Sequence, residues 1–355
     1  MGMAPYGDAS LHDLGPLIRR QGNGFQVDTT LVNTVGMRRH KENGVGFYFS
    51  DKLIDWLGPR RKGDVADEPY IHYAASMQQL FEDWCLELLE TYLGDVLRET
   101  GRLAFAGGGA LNVKLNQRIV ALDHVEELFV QPAAGDSGTS LGAATFVAAE
   151  RGERLSRMNH AYLGPAYDES ACLAALEGSS EPLAFRKLDD VPAETAAILA
   201  DGNPVAWFQG RMEFGPRALG GRSILGCPNA SGIADRINEQ IKFRERWRPF
   251  CPSVLDTVAA DIIQTDHPAP FMTITFDVNE SWKSRIPEVV HEDGTARVQI
   301  VSRDQNARYY DLIAALEQLT GNAVVLNTSL NRRGEPMVCS PQDALNMFFG
   351  SDLEY

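Results

Sequence analysis

Cysteine is scarce in this chain, and its spacing is never that of a paired motif. The five cysteines, at positions 85, 172, 227, 251 and 339, form no CxxC, which excludes a zinc ribbon and argues against a disulfide frame. They read as reduced thiols of a cytoplasmic protein. The seven histidines (12, 40, 72, 124, 160, 267 and 291) form no HxxxH or HxxH pair, so the chain supplies no complete metal site of its own. No run approaches about 18 apolar residues, and no membrane span is expected. The opening MGMAPYGDAS has no basic stretch ahead of an apolar core and is not a secretory signal. Positive charge is also in short supply. With 33 Lys and Arg against 48 Asp and Glu, the net charge of -15 argues against a broad nucleic-acid surface. Repeats and low-complexity segments are missing.

What is present is an ordinary globular composition, 44% hydrophobic and 23% charged, over 355 residues, enough for about two domains. Residues 1–70 are rich in turns. From Ile71 to Glu99, Met77, Leu80, Phe81, Trp84, Leu88, Leu89, Tyr92 and Leu93 recur at spacings of three and four, which predicts a long helix ending at Gly101. Arg102–Ala106 then reads as a short buried strand, GGGALN as a loop, and the segment to about Leu122 as an amphipathic helix. Val125–Val130 reads as a second strand, followed by a glycine loop and a helix to about Glu150. This alternation is that of an α/β lobe. A polar stretch at 151–170 marks a division between domains at about 165/166. Beyond it, strands are expected at Leu183–Leu188, Pro204–Phe208, Phe271–Val278, Ala296–Val301 and Ala323–Leu326. Helices are expected at Ala193–Ala200, Ser231–Lys242, Ala307–Leu319 and Ser340–Phe349, the last with Ser340 as its cap and Pro341 at its first position.

The scarce cations gather in one stretch. Between Val205 and Pro252, Arg211, Arg217, Arg222, Lys242, Arg244, Arg246 and Arg248 fall among glycines, prolines and aromatics. Glycine lets backbone approach a ligand closely, and arginine offers a planar fork that matches phosphate or carboxylate oxygens. A solvated basic face is the blander account, yet exposed charge runs rarely alternate with Phe, Trp and Pro. Glu245 can pair with Arg246 or Arg248 but cannot neutralise the whole group. The stretch therefore reads as a site for a polyanionic small molecule such as a nucleoside triphosphate. Further along, Arg297 begins a strand beside Gln299, and Asn327 and Ser329 follow a buried strand, where open α/β sheets place ligand groups. In the first lobe, Gly107, Gly108, Gly109 and Asn112 offer backbone NH groups to an anion, or simply a tight turn. Asp136, held between glycines, either caps the next helix or projects toward a metal bound to nucleotide phosphates.

Together these residues resemble the O-carbamoyltransferase family, which includes the nodulation, cephamycin and tobramycin carbamoyltransferases. The resemblance is carried in family order by GGGALN (107–112), GDSGTSLGAA (135–144), GRMEFGPRALGGRSIL (210–225), KFRERWRPFCPSVL (242–255), HEDGTARVQ (291–299) and LNTSLNRRGEPMV (326–338). MGMAPYG looks like the family's internal MGLAPYG, which implies that an earlier N-terminal part of the first domain, on this or another chain, is lacking here. The resemblance implies a partial actin-like ATPase-fold (ASKHA) domain at 1–165 and a YrdC-like α/β domain at 166–355. It implies that the second domain makes carbamoyl-AMP from ATP, with Mg2+, and carbamoyl phosphate, and that the first transfers the carbamoyl group to a hydroxyl of a small-molecule acceptor. Arg217, Lys242, Arg248 and Arg297 are then expected on the reacting phosphates, Asn327 and Ser329 on the nucleotide, and Arg211, Arg222 and Arg244 as further contacts. Asp136 matches one ligand of an iron-like metal whose histidines would precede Met1. A homodimer is hinted at by the resemblance alone. Two other enzymes remain as alternatives, tRNA threonylcarbamoylation and hydrogenase maturation, although the latter's acylphosphatase domain and CxxC pairs are missing. So does a nucleotide-binding remnant without transfer activity.

Overall fold

The computed structural model describes residues 1–32, 41–42, 45–46, 49–62 and 67–355. These form an α/β protein of two compact units, Met1–Gly101 and Arg102–Tyr355. The expected division at 165/166 falls inside the second unit, and part of the turn-rich segment at 1–70 lies outside the described residues.

In the first unit, short turns lead into an antiparallel hairpin, Ile18–Gln21 with Gly24–Val27. A helix follows at Asp51–Leu57, capped by the Ser50 side chain. The periodic segment is a helix over Tyr70–Thr100, and Gly101 ends it at φ 66°, a conformation that glycine takes without cost. Leu14, Leu17 and Leu53 are buried together against Leu31, Val32, Leu57 and Leu80.

The second unit opens as its sequence pattern predicts. The strand Arg102–Phe105 runs parallel to Glu127–Val130, with the helix Val113–Val120 between them. The helix Thr139–Glu150 follows the second glycine loop. Further on, a five-stranded mixed sheet has the order Gln299–Val301, Cys251–Leu255, Val324–Ser329, Arg222–Gly226, Val205–Phe208. Only the first pair is parallel. Helices Val191–Ala200 and Ala307–Thr320 pack on one another and on this sheet, burying Leu199, Trp207, Leu225, Leu255, Tyr309, Leu312 and Val325. Pro341–Phe349 is the last helix, closed by a reciprocal cap between Ser340 and Asp343.

Three expected strands are corrected. Leu183–Leu188 is not a strand; its Arg186 and Lys187 are exposed and paired with Glu194 and Glu169. Phe271–Val278 pairs only at its end, Phe276–Asp277 as a short strand and Val278 as a single bridge to Ile263, because Met272 takes φ 55° and turns the chain out of extended geometry. Ala296–Val301 is broken into Thr295–Ala296 and Gln299–Val301, with Arg297 in the gap. Among the described residues no helix is long and apolar enough to cross a membrane.

Candidate active site

The loop from Gln209 to Gly221 leaves the edge strand Val205–Phe208 and returns antiparallel through Arg222–Gly226. Its shape is set by one carboxylate. Glu213 is buried, and its Oε1 accepts from the backbone N–H groups of Leu219 (2.7 Å), Gly221 (2.7 Å) and Arg222 (3.3 Å). The loop carbonyls are also drawn inward. Asn327 Nδ2 donates to Ala218, Gln299 Nε2 and the Tyr162 hydroxyl donate to Leu219, and Trp207 Nε1 and Gln209 Nε2 donate to Gly220. Gly220, at φ 96°, lies against the Tyr309 ring, where a Cβ would come within 2.4 Å of a ring carbon. The loop backbone is thus spent on the interior, while the Arg217 side chain lines a pocket outside.

That pocket has a volume of about 90 Å³ and brings together residues far apart in the chain: Arg217, Arg244, Arg297, Cys251, Asn327 and Ser329. Among the described residues that line it, none is acidic. Arg217 is pushed down to about 9, first by the neighbouring Arg297 guanidinium and then by burial. Arg244 is pushed down to about 10, chiefly by burial. Its Nε donates to Asn238 Oδ1 at 2.6 Å, its guanidinium lies 4.3 Å from the centroid of the Phe250 ring, and its buried Nη2 has no hydrogen-bond partner among the described residues. Arg297 Nε donates to Cys251 Sγ at 3.0 Å. Three guanidiniums meeting in a pocket whose described lining holds no carboxylate make a surface suited to an oxyanion.

Lys242 stands behind Ser329. Its ammonium donates to the Ser329 carbonyl (2.5 Å) and hydroxyl (3.1 Å) and to the Asn331 carbonyl (2.9 Å) and Oδ1 (2.6 Å). Burial, with a smaller contribution from Arg244, pushes it down to about 7.

The other expected cations lie elsewhere. Arg248 is half exposed and paired with Glu245 at 2.8 Å. Arg211 is exposed and donates to the Gly164 carbonyl. Arg222 is fully buried beneath the loop, stacked 3.7 Å from the Phe208 ring centroid and donating to the carbonyls of Pro165, Gln209, Gly210, Gly221 and Cys339. The structure does not bring Arg222 to the pocket, because its donors hold the backbone. Glu213 and Asn238 were not singled out by the sequence pattern. The available signal was a lone carboxylate inside a basic, glycine-rich run.

Gly107 and Asp136 meet at a second cavity of about 700 Å³, with Gly135, Gly138 and Thr139. The Gly107 N–H donates to the Ala134 carbonyl at 2.8 Å, which joins the two glycine loops. Gly108 and Gly109 form a short turn with Leu111, and the Asn112 side chain caps the helix Val113–Val120 by accepting from Leu115 N. Lys114 on that helix pairs with Asp293 at 2.7 Å, tying the first lobe to the turn ahead of Arg297. Asp136 is exposed. Among the described residues no group of three or more His, Cys, Asp or Glu could hold a metal.

Fold and site define an α/β protein with an arginine-lined pocket and a glycine-loop lobe. The model described as Carbamoyltransferase N-terminus matches residues 43–145, and that described as Carbamoyltransferase C-terminus matches residues 196–355. The chain belongs to the carbamoyltransferase family. It is 36% identical to nodulation protein NolO of Bradyrhizobium diazoefficiens, covering 100% of this chain and 63% of that protein. It is equally similar, at 36%, to nodulation protein NolNO of Sinorhizobium fredii (100% of this chain, 51% of that protein). An uncharacterized protein of Synechocystis is also 36% identical (100% and 62%). The chain therefore spans between about half and just under two thirds of the length of these relatives.

Proposed function

We propose that the arginine pocket is the adenylation site of an O-carbamoyltransferase. The observation that carries this is the meeting of Arg217, Arg244 and Arg297 in one small pocket without an acidic lining residue. In this reading the residues from about 166 form a YrdC-like domain, and the glycine-loop lobe is part of an actin-like fold. Water cleaves carbamoyl phosphate to carbamate and inorganic phosphate. A carbamate oxygen then attacks the α-phosphorus of ATP, pyrophosphate leaves, and carbamoyl-AMP forms. Negative charge is concentrated on the phosphoryl oxygens in that step, and fixed guanidiniums in a dry pocket stabilise it without reorganising. A hydroxyl of a small-molecule acceptor then attacks the carbamoyl carbon, AMP departs, and the hydroxyl proton is released. The names of the relatives NolO and NolNO support a nodulation-type acceptor or a comparable secondary metabolite.

The test is direct. The chain is incubated with ATP, Mg2+ and carbamoyl phosphate, without acceptor. Carbamoyl-AMP in the mass spectrum and released pyrophosphate are expected only when carbamoyl phosphate is present. A folded chain that binds ATP and yields neither product would sink the adenylation reading. The rival, a nucleotide-binding remnant without transfer, is favoured by one observation, the lack of companions for Asp136 among the described residues.

A further inference from the structure

The protein uses only half of the Asn327 amide. Asn327 is 2% exposed and lines the arginine pocket. The sheet fixes which way it faces. In the strand Val324–Ser329 it stands directly across from Cys251, and such cross-strand partners share one face of a sheet. Ser329, two residues on, shares that face too. Cys251 and Ser329 line the same pocket, and Cys251 Sγ accepts from Arg297 Nε at 3.0 Å. The amide itself is oriented by a group that can only accept. Asn327 Nδ2 donates to the Ala218 carbonyl at 3.2 Å, and it also lies 3.2 Å from Ser253 Oγ and 3.5 Å from Gln299 Oε1. Gln299 is oriented in turn, because its Nε2 donates to the Leu219 carbonyl at 2.9 Å. The donor end of Asn327 is therefore spent on the protein. Its Oδ1 is left over, buried and with no hydrogen-bond partner among the described residues.

A buried carbonyl oxygen without a donor is costly, so it calls for an N–H or O–H. The buried Tyr309 hydroxyl, next to this network and also without a partner, can fill one lone pair, and a carbonyl oxygen has two. The three arginines of the pocket offer donors alone. They bind an anionic group and cannot recognise an N–H. An acceptor set among those donors suits a ligand that carries an amino group beside its oxygens. Carbamate and carbamoyl phosphate have that pattern. An acetyl group, which puts a methyl where the amino group stands, does not. We propose that Asn327 Oδ1 accepts from the carbamoyl NH2 and so selects carbamoyl over acyl donors, while Arg217, Arg244 and Arg297 hold the oxygens. The contact falls on the carbamoyl group, where the sequence pattern expected Asn327 on the nucleotide. This deepens the adenylation reading and rests on it.

The experiment compares carbamoylphosphonate with acetylphosphonate, which differ only in NH2 against CH3 and carry no hydrolysable P–O–C bond, by calorimetric titration of the full chain. Inorganic phosphate serves as the control for the oxyanion part. The readout is the ratio of the two phosphonate affinities. The wild type should bind carbamoylphosphonate about tenfold or more tightly than acetylphosphonate, because the methyl leaves Oδ1 unpaired. Asn327→Leu should bring the ratio to about one. Asn327→Asp keeps an acceptor oxygen and loses the donor, so it should keep the ratio even where its charge weakens all three ligands. Equal affinity of the wild type for both phosphonates, with phosphate still bound, would overturn the selection and leave the oxyanion pocket standing. A wild-type chain that binds none of the three would remove the oxyanion reading, and the selection with it. A wild-type ratio in Asn327→Leu would mean that another group reads the N–H. If the leucine variant binds none of the three, the aspartate variant decides: a preserved ratio supports the contact, and a ratio of about one overturns it.

Discussion

Arg217 and Arg297 share one pocket with like charges and no carboxylate among the described lining residues, and the charge of Arg297 is the main reason Arg217 holds its proton less tightly than usual. In the free protein this pair is a repulsion. It becomes favourable only when an anion enters. Arg217→Ala should therefore melt at the wild-type temperature or slightly above it. Carbamoyl-AMP formation should fall by about 30- to 1,000-fold, corresponding to roughly 2–4 kcal/mol of lost transition-state stabilisation. Thermal melting and the pyrophosphate assay read the two effects separately. A folded Arg217→Ala chain with unimpaired adenylation would remove the pocket from the reaction.

Arg222 should behave in the opposite way. Its guanidinium holds the carbonyls of Pro165, Gln209, Gly210, Gly221 and Cys339 and stacks on Phe208, away from the pocket. Arg222→Met leaves those buried acceptors unsatisfied and Glu213 without a nearby cation. A loss of about 3–5 kcal/mol is expected in urea unfolding. Arg222→Lys should recover little, because one ammonium cannot span the same carbonyls. Wild-type stability of Arg222→Met would show that the residue is not the internal brace its contacts describe.

The contrast between these arginines shows where sequence reading stops. The helix Tyr70–Thr100 was legible because its apolar residues keep one period and Gly101 closes it. The strand, glycine loop and helix from Arg102 to Val120 were legible for a similar reason. Clustering of arginine with glycine and aromatics marked the loop from Gln209 to Gly221, but could not tell Arg217 from Arg222 within one motif. That difference follows the loop that Glu213 folds back, in which Arg217 lines the pocket while Arg222 binds the loop carbonyls. Cys251–Leu255 gave no strand signal because Pro252 lacks a donor, yet it lies within the sheet between Gln299–Val301 and Val324–Ser329. Its pairing is what brings Arg297 and Asn327 to the same pocket as Arg217.

Glu213 is open to a local test. Its Oε1 is the acceptor for the N–H groups of Leu219, Gly221 and Arg222, and its Oε2 is buried without a hydrogen-bond partner among the described residues. Glu213→Ala strands those donors and should cost about 3–5 kcal/mol, whereas Glu213→Gln keeps an acceptor in place and should cost less, about 1–2 kcal/mol. Hydrogen exchange supplies the specific readout. The amides of Leu219, Gly221 and Arg222 should be protected in the wild type and exchange fast in Glu213→Ala, while the strand Val324–Ser329 stays protected. Slow exchange at those three amides in the alanine variant would mean that something other than Glu213 holds the loop.

Lys242 gives the pH dependence. Burial, with a smaller contribution from Arg244, pushes its ammonium down to about 7, and the oxygens around it belong to carbonyls, a hydroxyl and an amide. The folded state therefore disfavours the protonated form relative to the unfolded chain, where lysine titrates near 10.4. Below about pH 7 both states carry the proton and the penalty is fully present. Between about 7 and 10 the unfolded state binds more protons, so folding gains stability as pH rises, by at most about 1.4 kcal/mol per pH unit from this group. Other groups titrate in the same range, so the comparison is with Lys242→Met, which lacks the group. Urea unfolding of both proteins at pH 6.5, 8 and 9.5 should show the wild type gaining on the variant at each step. An oxyanion in the neighbouring pocket favours the charged lysine, so tripolyphosphate should bind with proton uptake at pH 8, seen as a buffer-dependent calorimetric enthalpy that Lys242→Met abolishes. A constant difference between the two proteins across that range would mean that Lys242 keeps its proton throughout and is a fixed cation of the site.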